Sequence, residues 1–428
     1  MIRSLTLGAL ALVTLAACGE QELILPGERI SIRPEEGTAT VQPTTFAAPP
    51  MQALPTWPQT RYDGTHNAPH ASLSGLSLAV QVEAGRGKTR EGEIFQPPVS
   101  DGQRIYTKDA ASTVRAFTPD GGLVWSVDVA KFGQRSFDGF GGGLALGGSQ
   151  LFVTTGMGQL IALDAASGQR LWVQDVDAPI RAAPLVIGDE VVVIARDDMA
   201  YGISIAQGRI NWQYSAAPGL SGVGGGASAA TDGQTIVLPY SSGQVNAVEA
   251  RNRQLVWQGA VVGGTRGLAR AAYDDITADP VIAGDAVYLG SQAGQIAKLD
   301  KATGDRIWTA SFGSFSPVVA AGDSVFATTD MAKLIRLDAA TGALMWQADL
   351  PRYRVPDKRR DPYVYYGPVL AGGGLLVAGT DGLLRMFDPS TGQQTSAVQI
   401  PGGAAAAPIV VNGTAWVLSN NGQLLGYR

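Results

Sequence analysis

Side chains suited to covalent, acid–base or metal chemistry are scarce in this chain. There is one cysteine, Cys18, and there are two histidines, His66 and His70. A lone cysteine cannot form an intramolecular disulfide. Two histidines placed ahead of any repeating pattern give a poor basis for general acid–base catalysis or an imidazole-built metal site. Acidic residues fall mostly in turns, where Asp is favoured anyway. Asp274 and Asp275 are adjacent, yet calcium needs six to eight converging oxygens, and no local cluster is spaced to supply them. The runs Gly141-Gly142-Gly143 and Gly224-Gly225-Gly226 imitate phosphate loops, but no Lys-Ser/Thr pair and no helical pattern follows. Close backbone approach accounts for them better. No catalytic residue, metal site or cofactor is expected. What stands out is recognition chemistry. Residues 352–366 form a basic, tyrosine-rich island in a chain of net charge −5. Arg and Tyr are favoured at binding hot spots, so Arg352, Arg354, Arg359 and Arg360 are candidate contacts. A solvated loop with its tyrosines laid on a rim would read the same way.

The elements that must carry these residues are fixed by an internal repeat. Its clearest copies begin Leu163-Asp164-Ala165-Ala166-Ser167-Gly168, Leu299-Asp300-Lys301-Ala302-Thr303-Gly304 and Leu337-Asp338-Ala339-Ala340-Thr341-Gly342, each followed four residues after the glycine by Trp172, Trp308 or Trp346. The phrase reads as strand, tight turn, strand, with Gly free to take positive φ and Trp anchoring the strand that follows. The landmark recurs at Trp125, Trp172, Trp212, Trp257, Trp308 and Trp346, and Ser396 fills the slot in a seventh copy. This period fits a four-stranded propeller blade. One full unit runs from Pro280 to Ala310, with strands Pro280–Ala283, Ala286–Ser291, Gln295–Asp300 and Arg306–Ala310. An eighth unit starts at Ala407 and stops at Arg428 before its fourth strand. Residues 74–81 match the start of a fourth strand, so the N-terminal strand is expected to complete the last blade. The reading is all-β: an eight-bladed propeller, with seven blades the main alternative. Abundant Gly, at 55 residues, and only 16% charged residues agree with it.

The N-terminus reads as an address. Arg3 precedes an apolar run from Leu5 to Leu15, of signal-peptide length and too short to span a bilayer. Leu15-Ala16-Ala17-Cys18 follows and resembles the lipobox of bacterial lipoproteins, which implies an acyl anchor on Cys18. The absence of Asp after the cysteine favours the outer membrane. The expected organisation is a signal peptide over 1–17, a lipidated N-terminus and flexible tether over 18–56, and a propeller over 57–428.

The spacing of Asp, Gly and Trp resembles the pyrroloquinoline-quinone-type propeller repeat over residues 74–428. That repeat is a structural staple shared by quinoprotein dehydrogenases and by the BamB family, the propeller lipoproteins of outer-membrane barrel assembly. The lipobox, tether, blade number and lack of a cofactor constellation resemble the latter. The resemblance implies a non-catalytic scaffold at the periplasmic face of the outer membrane. Its implied partners are the periplasmic domains of BamA and unfolded barrel precursors, with the membrane bound through acyl chains on Cys18 and no nucleic acid. It also implies contact residues. Leu220-Ser221-Gly222 stands where the family carries Leu-Arg-Gly, with Ser221 in place of the cation. Asp275 stands where the family carries its first loop acid, Thr277 where the second is usual, and Asp274 can compensate. Two alternatives remain open on the residues alone: a membrane-anchored quinoprotein dehydrogenase, and a propeller binding cell-wall polymer through the basic loop.

Overall fold

The computed structural model describes residues 40–90, 92–130, 141–217, 219, 226–261, 275–292 and 294–428. Cys18 and the signal sequence lie outside the described residues. Eight four-stranded antiparallel sheets follow one another along the chain. Blade 5 shows the unit: Ile276–Ala283, Ala286–Ser291, Gln295–Asp300 and Arg306–Ala310. Three of these strands have the bounds expected from the repeat, and the first begins four residues early. The eighth sheet is closed as expected. Leu78–Glu83 pairs antiparallel with Gln423–Tyr427 and supplies the fourth strand that the C-terminal unit lacks. Ring closure leaves no open edge between first and last repeats.

The recurring phrase locks five of the eight blades to the next. Trp125, Trp172, Trp257, Trp308 and Trp346 each donate an indole N–H to a turn carbonyl of the following blade, on Ala165, Ile205, Lys301, Ala339 and Pro389, at 2.7–3.2 Å. The turn glycine lies directly under that indole. At Gly304, φ is +77° and an added Cβ would stand 2.6 Å from Trp257 ring carbons. Glycine is therefore needed twice over, for its dihedral and for the space. The interface between blades 3 and 4 departs from this. Arg253 takes the glycine slot at φ +64°. Its guanidinium lies 5.7 Å from the Trp212 ring centre and 2.5 Å from Glu190, which also accepts from Trp212 at 2.9 Å.

Within each unit, the first strand ends at a turn and the fourth strand ends at the connection to the next blade. The ring thus has a turn face and a connection face. Residues 52–74 form a strap over the turn-face end of the channel, with at least one hydrogen bond to the first-strand region of every blade. In order of the blades, Trp57 exchanges bonds with Ser100, Pro58 accepts from Leu146, Gln59 bonds Val186, and Gly64 accepts from Thr231. Thr65 accepts from Ile282, Asn67 bonds Ala320, Ala71 bonds Leu370 and Gly372, and Leu54 accepts from Asn412. These innermost strands have no sheet neighbour toward the channel, so the strap satisfies backbone groups that would otherwise need water. The expected tether therefore stops being free well before residue 57. Thr40 bridges Leu344, Arg336 donates to Thr44 O, and Phe46 stacks edge-on against Phe326 at 5.1 Å. Phe46, Leu54 and Trp57 are buried. Their apolar side chains are what hold this stretch down.

Candidate partner-binding face

Of the residues singled out from sequence, Leu220, Ser221, Gly222 and Asp274 lie outside the described residues. Asp275 and Thr277 can be placed. Both sit at the start of blade 5's first strand, on the connection face. Asp275 is 1% exposed. Its Oδ2 lies 3.5 Å from Arg181 Nη1. Thr277 is half-buried and donates to Ser314 O at 2.9 Å, tying blade 5 to the connection leading into blade 6. In the isolated domain neither offers an exposed charged or polar tip.

Sequence reasoning missed Arg181, the one cation in the blade 2–3 connection, and no periodicity marks it. Three connections return to the described structure beside it. Gly142 N donates to Arg181 O at 2.9 Å, directly after segment 131–140. A Cβ at Gly226, directly after 220–225, would lie 3.4 Å from Arg181 Cβ. Asp275, directly after 262–274, pairs with its guanidinium. Close approach explains two glycines of the first run as anticipated: a Cβ at Gly142 would meet Thr154 O at 2.1 Å, and one at Gly143 would meet Ala183 Cβ at 2.7 Å.

Two other buried carboxylates, Asp198 and Asp279, are committed to protein partners. Asp198 accepts from Ser241 N, Ser241 Oγ and Gly219 N at 2.7–2.8 Å. Asp279 accepts from Ser228 N at 2.7 Å and faces Arg61 at 3.5 Å. Among the described residues no group of three or more His, Cys, Asp or Glu is arranged to hold a metal ion. The oxygens of Asp198, Asp275 and Asp279 are engaged by backbone amides, a hydroxyl and guanidinium groups. The histidines are structural. His66 Nδ1 is 2.9 Å from Pro280 O and His70 Nδ1 is 2.7 Å from Pro49 O. Burial holds the His66 imidazolium below its usual range, against the opposing pull of Asp279.

The basic island divides in two. Arg352 is half-buried, with Nη2 3.2 Å from Met331 Sδ and its guanidinium over Tyr353. Arg354, Arg359 and Arg360 are exposed on a small hairpin, together with Lys358.

The family model for outer membrane protein assembly factor BamB matches residues 110–348 and 336–428. The BamB of Shewanella oneidensis is 26% identical over 331 residues, 75% of this chain and 81% of that protein. The BamB of Moranella endobia is 24% identical over 229 residues, 52% of this chain. The chain spans only 58% of the length of that relative. Among solved structures, BamB from Moraxella catarrhalis superposes with a TM-score of 0.68 at 21% identity, covering 82% of this chain and 99% of that one. A europium-containing methanol dehydrogenase also reaches 0.68, at 15% identity, covering 85% and 89%. At such identities the structural likenesses establish the propeller fold alone.

Proposed function

The chain belongs to the BamB family of outer membrane protein assembly factors, and from that premise we propose that it is a non-catalytic scaffold of the barrel-assembly machinery. It is anchored at the periplasmic face of the outer membrane by acyl chains on Cys18, and it binds the periplasmic domains of BamA through its connection face. The observation that carries this reading is the convergence of three inter-blade connections on Arg181. Arg181 thus brings Gly142, Gly226 and Asp275 together through its carbonyl, its side-chain stem and its guanidinium, and a composite contact surface needs residues of several blades held at one place. Leu220, Ser221, Gly222 and Asp274 supply the contacts, with Asp275 and Thr277 as further contact residues at the start of blade 5.

Handling of barrel precursors is proposed at the fourth strands, which end their sheets. Leu123, Val124, Leu255 and Val256 are exposed aliphatics there, suited to an extended apolar segment added edge-on. Crosslinks from precursor strands that miss blades 1 and 4 would remove this part.

The test of the main reading is the affinity of the mature chain for the periplasmic domains of BamA from the same organism. Leu220→Ala should weaken it roughly tenfold or more, as loss of an interface anchor does. Undiminished binding by that variant and by Ser221→Glu would move the contact elsewhere. Fatty-acid labelling lost in Cys18→Ser tests the anchor.

A further inference from the structure

The connection between blades 6 and 7 does not merely cross from one sheet to the next. Tyr353–Val355 and Arg360–Pro362 pair as a two-stranded ribbon, turned through Pro356–Lys358, and both strands end their sheet. Its base is fastened. Tyr365 is buried, and its hydroxyl lies 2.6 Å from Pro351 O and 3.1 Å from Asp381. Asp381 is held in turn by two bonds from Arg385, at 3.0 and 2.5 Å. Val364 exchanges hydrogen bonds with Thr380 on the neighbouring turn. The tip is the opposite. Every residue from Arg354 to Pro362 is exposed, and this stretch carries four cations against Asp357 and Asp361. None of Arg354, Lys358, Arg359 and Arg360 has a carboxylate at ion-pair distance among the described residues. Surface cations without partners, held out on a braced ribbon, attract opposite charge from a distance and orient it on arrival.

We propose that this hairpin is a docking element for an acidic protein segment presented to the connection face. It deepens the scaffold reading by giving the partner a second, electrostatic contact, and it rests on that reading only for the partner's place. Two observations favour a polypeptide over an anionic lipid surface. Both long edges of the ribbon are open, and backbone edges recognise an extended chain, not a headgroup. The hairpin also rises from the connection face, whereas residues 40–74, through which the chain arrives from Cys18, lie on the turn face.

The experiment uses the mature chain with Cys18→Ser, as wild type and with Arg354→Gln, Lys358→Gln, Arg359→Gln and Arg360→Gln combined. Unchanged thermal unfolding checks that the exposed tip can be altered safely. The probes are poly-L-glutamate, BamA periplasmic domains, and vesicles of phosphatidylglycerol or phosphatidylcholine. The expected result is poly-L-glutamate binding that weakens roughly tenfold in the variant and loses most of its salt dependence, as removal of several steering charges requires. Equal binding by both proteins overturns the proposal. Hairpin-dependent binding to phosphatidylglycerol vesicles without binding to poly-L-glutamate overturns it in favour of lipid. BamA domains that bind neither protein count against the scaffold reading, while hairpin-dependent capture of poly-L-glutamate would still uphold the acidic-segment site.

Discussion

Replacing Gly304 by Ala adds one methyl group and tests the interlock on which the ring depends. Two costs can be separated. Ala at φ +77° is in the left-handed region, at about 1–2 kcal/mol. The new Cβ would also stand 2.6 Å from Trp257 Cδ2 and Cε3, and overpacking of that kind costs about 1–3 kcal/mol. Moving the indole further strains its 2.7 Å bond to Lys301 O, a bond of about 1 kcal/mol. Gly284 is the internal control, with φ +59° and nothing within 4 Å of an added Cβ. Gly284→Ala should cost only the dihedral term, about 1–2 kcal/mol, whereas Gly304→Ala should cost about 2–5 kcal/mol. Denaturant unfolding followed by tryptophan fluorescence reads both. A cycle with Trp257→Ala sharpens the test, since in that background the extra cost of Gly304→Ala should vanish. Equal costs for the two glycines, or an excess that survives removal of Trp257, would refute the argument that the indole dictates the glycine.

Other outcomes follow from the same contacts. Trp57→Ala should destabilise by about 3–5 kcal/mol, because Trp57 is a fully buried side chain of the strap, and proteolysis should then cut first within residues 40–74. Arg253→Ala should cost about 1–3 kcal/mol, since Glu190 loses its charged donor at 2.5 Å; an unchanged unfolding midpoint would show that this pair does not replace the glycine lock. Asp275→Ala should lower stability as well as any partner affinity, because it removes a buried partner of Arg181; a loss of affinity alone would place Asp275 directly in the contact. His66 is held below its ordinary value of 6.5 by burial, so the unfolded chain takes up a proton that the folded chain refuses. Its contribution is whole above about pH 6.5 and is lost as pH falls toward the lower folded value. His66→Asn should flatten that part of the stability profile between pH 7 and 5, which a melting series would show.

The sequence by itself determined the repeating unit, because what defines it is local. Asp300 caps its own turn by accepting from Ala302 N and Thr303 N, both at 2.9 Å, and Gly304 and Trp308 follow at fixed spacing. Residues 74–81 likewise match the start of a fourth strand in the repeat, and Leu78–Glu83 pairs with Gln423–Tyr427 accordingly. Tertiary structure alone decided the rest. The strap has no period, because each of its residues answers a different blade, so residues 40–56 read as a tether although Phe46 and Leu54 are buried. Arg181 belongs to no motif and acquires its role only because the ring brings segments ending at Gly141, Gly226 and Asp275 back to one place. Composition marked the basic island, but not that Arg352 is tied to Met331 while Arg354, Lys358, Arg359 and Arg360 have no carboxylate partner among the described residues. Turn and strand preferences act over a few residues and survive in the sequence. Contacts between residues hundreds of positions apart are set by ring closure, and no local pattern records them.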